Sequence, residues 1–156
     1  MKRTNYAGRT NESQIGEEVV LKGWVAKRRN LGGLIFIDLR DREGIVQLVF
    51  DEKQDPAAFK VANECRNEYI LEVRGLVRER AEINPDLPTG KIEVEVKEAN
   101  ILAKSQTPPF EVKDHVDASE DLRLQYRYID LRRPEMMKNM KLRSKVASII
   151  HNYYDN

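Results

Sequence analysis

Gly23–Phe50, GWVAKRRNLGGLIFIDLRDREGIVQLVF, decides the fold. Its apolar residues come in short alternating runs, and each run stops at a cluster of glycine, asparagine or aspartate. That pattern reads as three β-strands joined by tight turns. In the second run Ile35, Ile37 and Leu39 point to one side, and Leu34, Phe36, Asp38 and Arg40 to the other. Phe36 therefore shares a face with charged side chains instead of the main apolar row. Lys27-Arg28-Arg29 lies just upstream. An aromatic beside cations is what single-stranded nucleic acid requires, a π-face for a base and positive charge for phosphate. A strand buried on both faces would instead put Phe36 in the core. Alternation alone leaves both readings open.

Working outward, the first strand spans Val19–Arg29, with a bulge or bend expected at Gly23. Asn30–Gly33 is a turn whose glycines are free to take positive φ. Leu34–Arg40 is the second strand, Asp41–Gly44 the next turn, and Ile45–Phe50 the third strand. Asp55-Pro56 then opens a short helix running to about Arg66, aspartate as N-cap and proline in its first position. Phe59, Ala62 and Cys65 face the core. Tyr69–Arg80 is a fourth strand, with Leu71, Val73, Gly75 and Val77 inward and Glu72, Arg74, Arg78 and Arg80 outward. After a proline-rich loop over Ile83–Gly90, Lys91–Leu102 is a fifth, with Ile92, Val94 and Val96 inward and Glu93, Glu95 and Lys97 outward. Residues 1–17 read as an irregular lead-in.

Three strands, a helix and two more strands is the order of the OB-fold, a five-stranded Greek-key barrel. That fold binds oligonucleotides with its second and third strands and with the loops joining strands 1–2 and 4–5. The expected fold class is thus all-β dominated, with a helical appendage. Residues 1–104 form the barrel, 105–133 a linker and hinge, and 134–156 a last helix. Thr107-Pro108-Pro109 stiffens the linker, Ser119 starts a helical segment, and Pro134 sits in the first turn of the helix reaching about Tyr154. Met140, Val146, Ile149, Ile150 and Tyr153 recur along it at roughly helical spacing. An apolar face with nothing after it to cover it predicts a piece of a longer protein.

Composition narrows the function classes. Of 156 residues, 40% are hydrophobic and 34% charged, and 27 basic side chains against 26 acidic ones leave a net charge of +1. Whole-chain basicity is absent, so any nucleic acid must be held by a local patch. Cys65 is the sole cysteine, which rules out an intramolecular disulfide and fits a reducing, cytoplasmic compartment. A buried structural thiol is expected. No signal peptide or membrane-length apolar run is present. His115 and His151 lie far apart with no ligand spacing around them, and there is no phosphate-cradling glycine loop or hydrolytic triad. No metal, cofactor or catalytic residue is expected. The chain binds.

Candidate binding residues follow from alternation. Of Lys27, Arg28 and Arg29, at most two can line one groove, the third being solvated or paired. Gln47 lies on the opposite face of its strand from Val46, Leu48 and Phe50, and its amide offers both donor and acceptor to a base edge. Arg78 and Arg80 extend the basic surface near the loop holding Asn84. Glu93 either accepts from base N–H groups or simply pairs with Arg78.

These stretches, together with LRLQYRYIDLRRPEMM further on, resemble the N-terminal region of the bacterial aspartyl-tRNA synthetase family, in order and across essentially the whole chain. The related lysyl and asparaginyl enzymes share the barrel but not the LIFIDLRDREGIVQ or YRYIDLRRPEM strings. The resemblance implies a barrel that recognises the aspartate tRNA anticodon. Phe36 would stack on its middle base with Gln47 in the same pocket, and Arg29 with Lys27 would contact the neighbouring base and backbone. Arg78, Asn84 and Glu93 would border the first base. It further implies that residues 134–156 begin a class II catalytic domain, truncated before its later motifs. The full-length parent would use ATP and Mg and act as a homodimer, with the Met140–Tyr153 stripe at the interface. Membrane and DNA are not expected partners. The rival reading is a standalone OB-fold module for single-stranded nucleic acid.

Overall fold

In the computed structural model, which describes residues 1–155, the chain divides into two compact units, the first being Met1–Thr107 and the second starting at Pro108. The first is a closed barrel of five strands: β1 (Glu18–Asn30), β2 (Leu34–Arg40), β3 (Ile45–Asp51), β4 (Ile70–Glu79) and β5 (Ile92–Ala103). They run around it in the order β1-β2-β3-β5-β4, and β4 returns to pair with β1. All pairs are antiparallel except β3 with β5. The helix α1 (Pro56–Glu64) joins β3 to β4. This is the expected OB-fold order.

Alternation predicted the core well. Ile35, Ile37 and Leu39 from β2, Val46, Leu48 and Phe50 from β3, Leu71, Val73 and Val77 from β4, and Ile92, Val94 and Val96 from β5 are buried in one cluster. The turn glycines Gly32 and Gly33 have φ of 61° and 42°, a region open to glycine at no steric cost. In the next turn Asp41 Oδ1 accepts from the amides of Glu43 and Gly44 at 2.8 and 3.2 Å.

Several local expectations change. The irregularity in β1 falls between Val25 and Lys27, not at Gly23. Gly23 is required for another reason: a Cβ there would collide with the carbonyl oxygen of Arg40. Asp55 makes no side-chain cap to α1; its carboxylate lies 3.4 Å from Lys97 Nζ instead. Pro56 does occupy the first turn, and the helix stops at Glu64 instead of about Arg66. Ala58 and Ala62 are its buried residues, while Phe59 is only partly buried. Cys65, at the helix end, is buried, and burial pushes its thiol up to about 11. It is an inert side chain, since the thiolate is the reactive form.

The lead-in is less irregular than expected. Ala7–Arg9 and Glu12–Gln14 form 3₁₀ turns, and Ala7 sits in the barrel core with its amide donating to Asp41 Oδ2 at 2.6 Å. Glu72, expected to face outward, is covered. Lys22 Nζ and the terminal ammonium each lie 2.8 Å from its Oε2. The hydrogen bonds from Lys22 and from that ammonium hold the carboxyl down at about 2. A folded-state value below the ordinary carboxylate range stabilises the fold above about pH 4.3. That contribution is lost as pH falls towards 2. Wild type should therefore melt above Glu72→Gln by a constant margin at pH 5–7, shrinking between about pH 4 and 2. A margin independent of pH in that window would refute the assignment.

In the second unit, α2 (Glu120–Gln125) begins at Ser119, whose hydroxyl accepts from the Leu122 amide at 3.3 Å. At the end of α3 (Arg127–Asp130), the fully buried Asp130 carboxylate accepts from Arg127 and Arg133 at 2.7 Å each. Asp114 Oδ1 accepts from the Glu135 amide at 3.1 Å, placing a carboxylate at the N-terminus of α4 (Pro134–Tyr154). Met140, Val146, Ile149, Ile150 and Tyr153 are all exposed along α4, as is Leu142. No helix among the described residues is long and apolar enough to cross a membrane.

Candidate nucleic-acid interface

The strand registers assemble one outer face of the barrel. Lys27 lies opposite Asp38, Asp38 opposite Gln47, Gln47 opposite Glu93, and Glu93 opposite Arg78, a rung crossing all five strands. Beside it runs a second rung: Arg29, Phe36, Val49, Glu95 and Leu76. Six of the seven predicted site residues, Lys27, Arg29, Phe36, Gln47, Arg78 and Glu93, thus share a face. Asn84 is separate from their hydrogen-bond chain. Its Oδ1 accepts from the Asp86 amide at 3.0 Å and its backbone amide donates to Gly90 O at 3.0 Å, which shapes the β4–β5 loop.

Phe36 lies half-buried and outside the core cluster, with the Arg29 guanidinium 5.8 Å from its ring centroid. The core reading is excluded. Arg29 Nη2 donates to Asp38 Oδ1 at 3.1 Å and to Gln47 Oε1 at 2.9 Å. Gln47 Nε2 donates to Glu93 Oε2 at 2.9 Å. Arg78 donates from Nε to Glu93 Oε1 at 2.9 Å and from Nη1 to Glu95 Oε1 at 2.8 Å. Lys97 Nζ lies 3.5 Å from Glu95 and continues the chain.

This geometry corrects the picture of an exposed basic groove. Gln47 is only 3% exposed and Glu93 5%, because neighbours on both sides cover and bond them. Glu93 does pair with Arg78. Arg28 has left the face: its Nε donates to the Ala62 carbonyl at 2.9 Å and Nη2 to Asn63 Oδ1 at 2.6 Å, a cation at the end of α1. The two rungs carry three cations, Lys27, Arg29 and Arg78, and three carboxylates, Asp38, Glu93 and Glu95. They are formally neutral, with Lys27 exposed and the Arg29 and Arg78 side chains partly so although both are ion-paired. Such a face offers hydrogen-bonding groups and a ring more than net charge. Gln47 still has one N–H and one lone pair unused, and each Glu93 oxygen a further lone pair.

Asp38 and Glu95 were missed as members of the site. Alternation had put both on the right face. The signal lay in cross-strand register, which a single strand does not carry.

A five-stranded barrel bearing a half-buried aromatic on its outer face among fixed donors and acceptors defines a class of nucleic-acid binders. The chain belongs to the OB-fold nucleic acid binding domain family, whose model matches residues 19–102. Residues 119–156 match the model of class II tRNA synthetases of the D, K and N type. Over its full length the chain is 80% identical to aspartate–tRNA ligase of Limosilactobacillus fermentum, covering 26% of that protein. It is 58% identical over 99% of its length to aspartate–tRNA ligase 2 of Streptococcus mutans. The asparaginyl-tRNA synthetase of Pyrococcus horikoshii, solved with asparaginyl-adenylate, superposes with a TM-score of 0.80 at 25% identity, over 98% of this chain and 34% of that one. The chain spans about a quarter of the length of the curated relatives it matches.

Proposed function

We propose that the outer barrel face reads the anticodon of aspartate tRNA. The observation that carries this reading is Phe36, a half-buried ring under the Arg29 guanidinium, which is itself bonded to Gln47, on a face whose other polar groups bond one another. Phe36 stacks on the middle base. Gln47 presents its unused amide valences beside that base, and Lys27 and Arg29 meet the adjacent base and backbone. Arg78, Glu93 and, from its loop, Asn84 border the first base, with Glu93 accepting from a guanine-like edge. Anticodon bases are accessible to such readout because loops expose their pairing edges.

The 156-residue chain should bind an RNA hairpin carrying the aspartate anticodon more tightly than one with a changed middle base. A wrong base at a hydrogen-bonded edge costs about 1–3 kcal/mol, or roughly 5- to 150-fold in affinity. Equal affinity by calorimetric titration would defeat the reading and favour a general single-strand-binding module.

For the full-length protein we propose aspartate–tRNA ligation in the cytoplasm by a homodimer. Residues 105–133 act as its hinge, and α4 begins its class II domain with Met140, Val146, Ile149, Ile150 and Tyr153 in the interface. ATP and magnesium supply the activation chemistry of such ligases. Among the described residues no group of three or more His, Cys, Asp or Glu side chains could hold a metal ion.

A further inference from the structure

We infer that Asp38 is a positioning residue for base reading, acting through Arg29 on the orientation of Gln47; the inference rests on the anticodon reading above. A glutamine amide is nearly symmetric in shape and opposite in chemistry at its two ends, so its neighbours decide which end faces a ligand. Gln47 lies between a guanidinium, which only donates, and a carboxylate, which only accepts. Its oxygen must face Arg29, at 2.9 Å, and its NH₂ must face Glu93, at 2.9 Å. Turned over, it would set donor against donor and acceptor against acceptor in a site where Gln47 is 3% exposed. Unsatisfied polar groups are costly there.

The lock is only as firm as Arg29. Among the described residues Arg29 Nε is buried with no hydrogen-bond partner, so the guanidinium is held through Nη2, shared between Asp38 at 3.1 Å and Gln47. Asp38 is the carboxylate that anchors it, and strand register places Asp38 directly across from Gln47. Without Asp38, Arg29 is free to leave the Phe36 ring, and the Gln47 oxygen loses its donor. Glu93 controls the same amide from the other end. Asp38 and Glu93 thus act on one group from opposite sides.

A double-mutant cycle tests this. The readout is discrimination between the aspartate-anticodon hairpin and the hairpin with a changed middle base. Asp38→Ala and Glu93→Gln should each lower discrimination about tenfold, and the double variant no further than either alone, since coupled sites are non-additive. The Gln47 side-chain amide resonances should move in Asp38→Ala. Asp38→Asn, which keeps an acceptor for Arg29, should retain most of the discrimination. If Asp38→Ala melts below the working temperature, Asp38→Ser serves in the same cycle. Additive losses, or unchanged discrimination and resonances, would overturn the role of Asp38 while leaving the anticodon reading intact. Failure of the wild type to discriminate would remove both.

Discussion

Phe36→Ala weakens binding of the aspartate-anticodon hairpin by about 1–3 kcal/mol, the worth of one base stacked on an aromatic ring, while the melting temperature falls by only about 5–10 °C. Both halves of this result come from where the ring lies. It stands on the outer rung between Arg29 and Val49, half-buried and apart from the core cluster. Truncating a half-buried ring in that position costs about 1–2 kcal/mol of stability, less than a core ring would. The loss of affinity should be similar for hairpins with other middle bases, because stacking tolerates sequence. Parallel titration and thermal melts decide it. Lost stability with intact RNA binding would refute the stacking role of Phe36.

Phe50→Ala gives the opposite signature. Phe50 is the largest of the fully buried side chains and lies one strand away, directly opposite Ile35. Removing a ring from a sealed barrel costs about 3–5 kcal/mol, transfer energy plus the cavity left behind. For a domain of this size that lowers the melting temperature by roughly 15 °C or more. At a temperature where the variant remains folded, its affinity for the hairpin should match the wild type, since Phe50 points away from the reading face. A weakened affinity in the folded variant would show that core and face are not separable.

Residue order sets these two phenylalanines on opposite faces, and burial in the barrel decides that only Phe50 is core. Both lie in one hairpin, and strict alternation puts Phe50 with Leu48 and Val46, but Phe36 with Asp38. The same parity places Gln47 and Glu93 on the outer face, and the element order with its single helix between the third and fourth strands specifies the barrel. Glycine at 32 and 33 marks the β1–β2 turn, where positive φ favours a residue without Cβ.

Other features are not legible there. The basic run at 27–29 suggests a phosphate groove, yet Arg28 serves α1 and Arg29 is tied to Asp38 and Gln47. Asp55 looks like a helix cap and proves to be a partner of Lys97, 42 residues along the chain. Ala7 lies in a polar lead-in and proves to be core.

Parity is a property of one strand, because successive side chains must take opposite sides of the pleat whatever the rest of the molecule does. Fold class and the inward and outward faces therefore follow from residue order. Register between strands distant in sequence is a property of the closed barrel. The parallel pairing of β3 with β5 sets Gln47 beside Glu93, and the β4–β5 register sets Arg78 beside the same carboxylate. That closure turns separate outward residues into one bonded chain, and charges that look exposed in sequence become each other's partners.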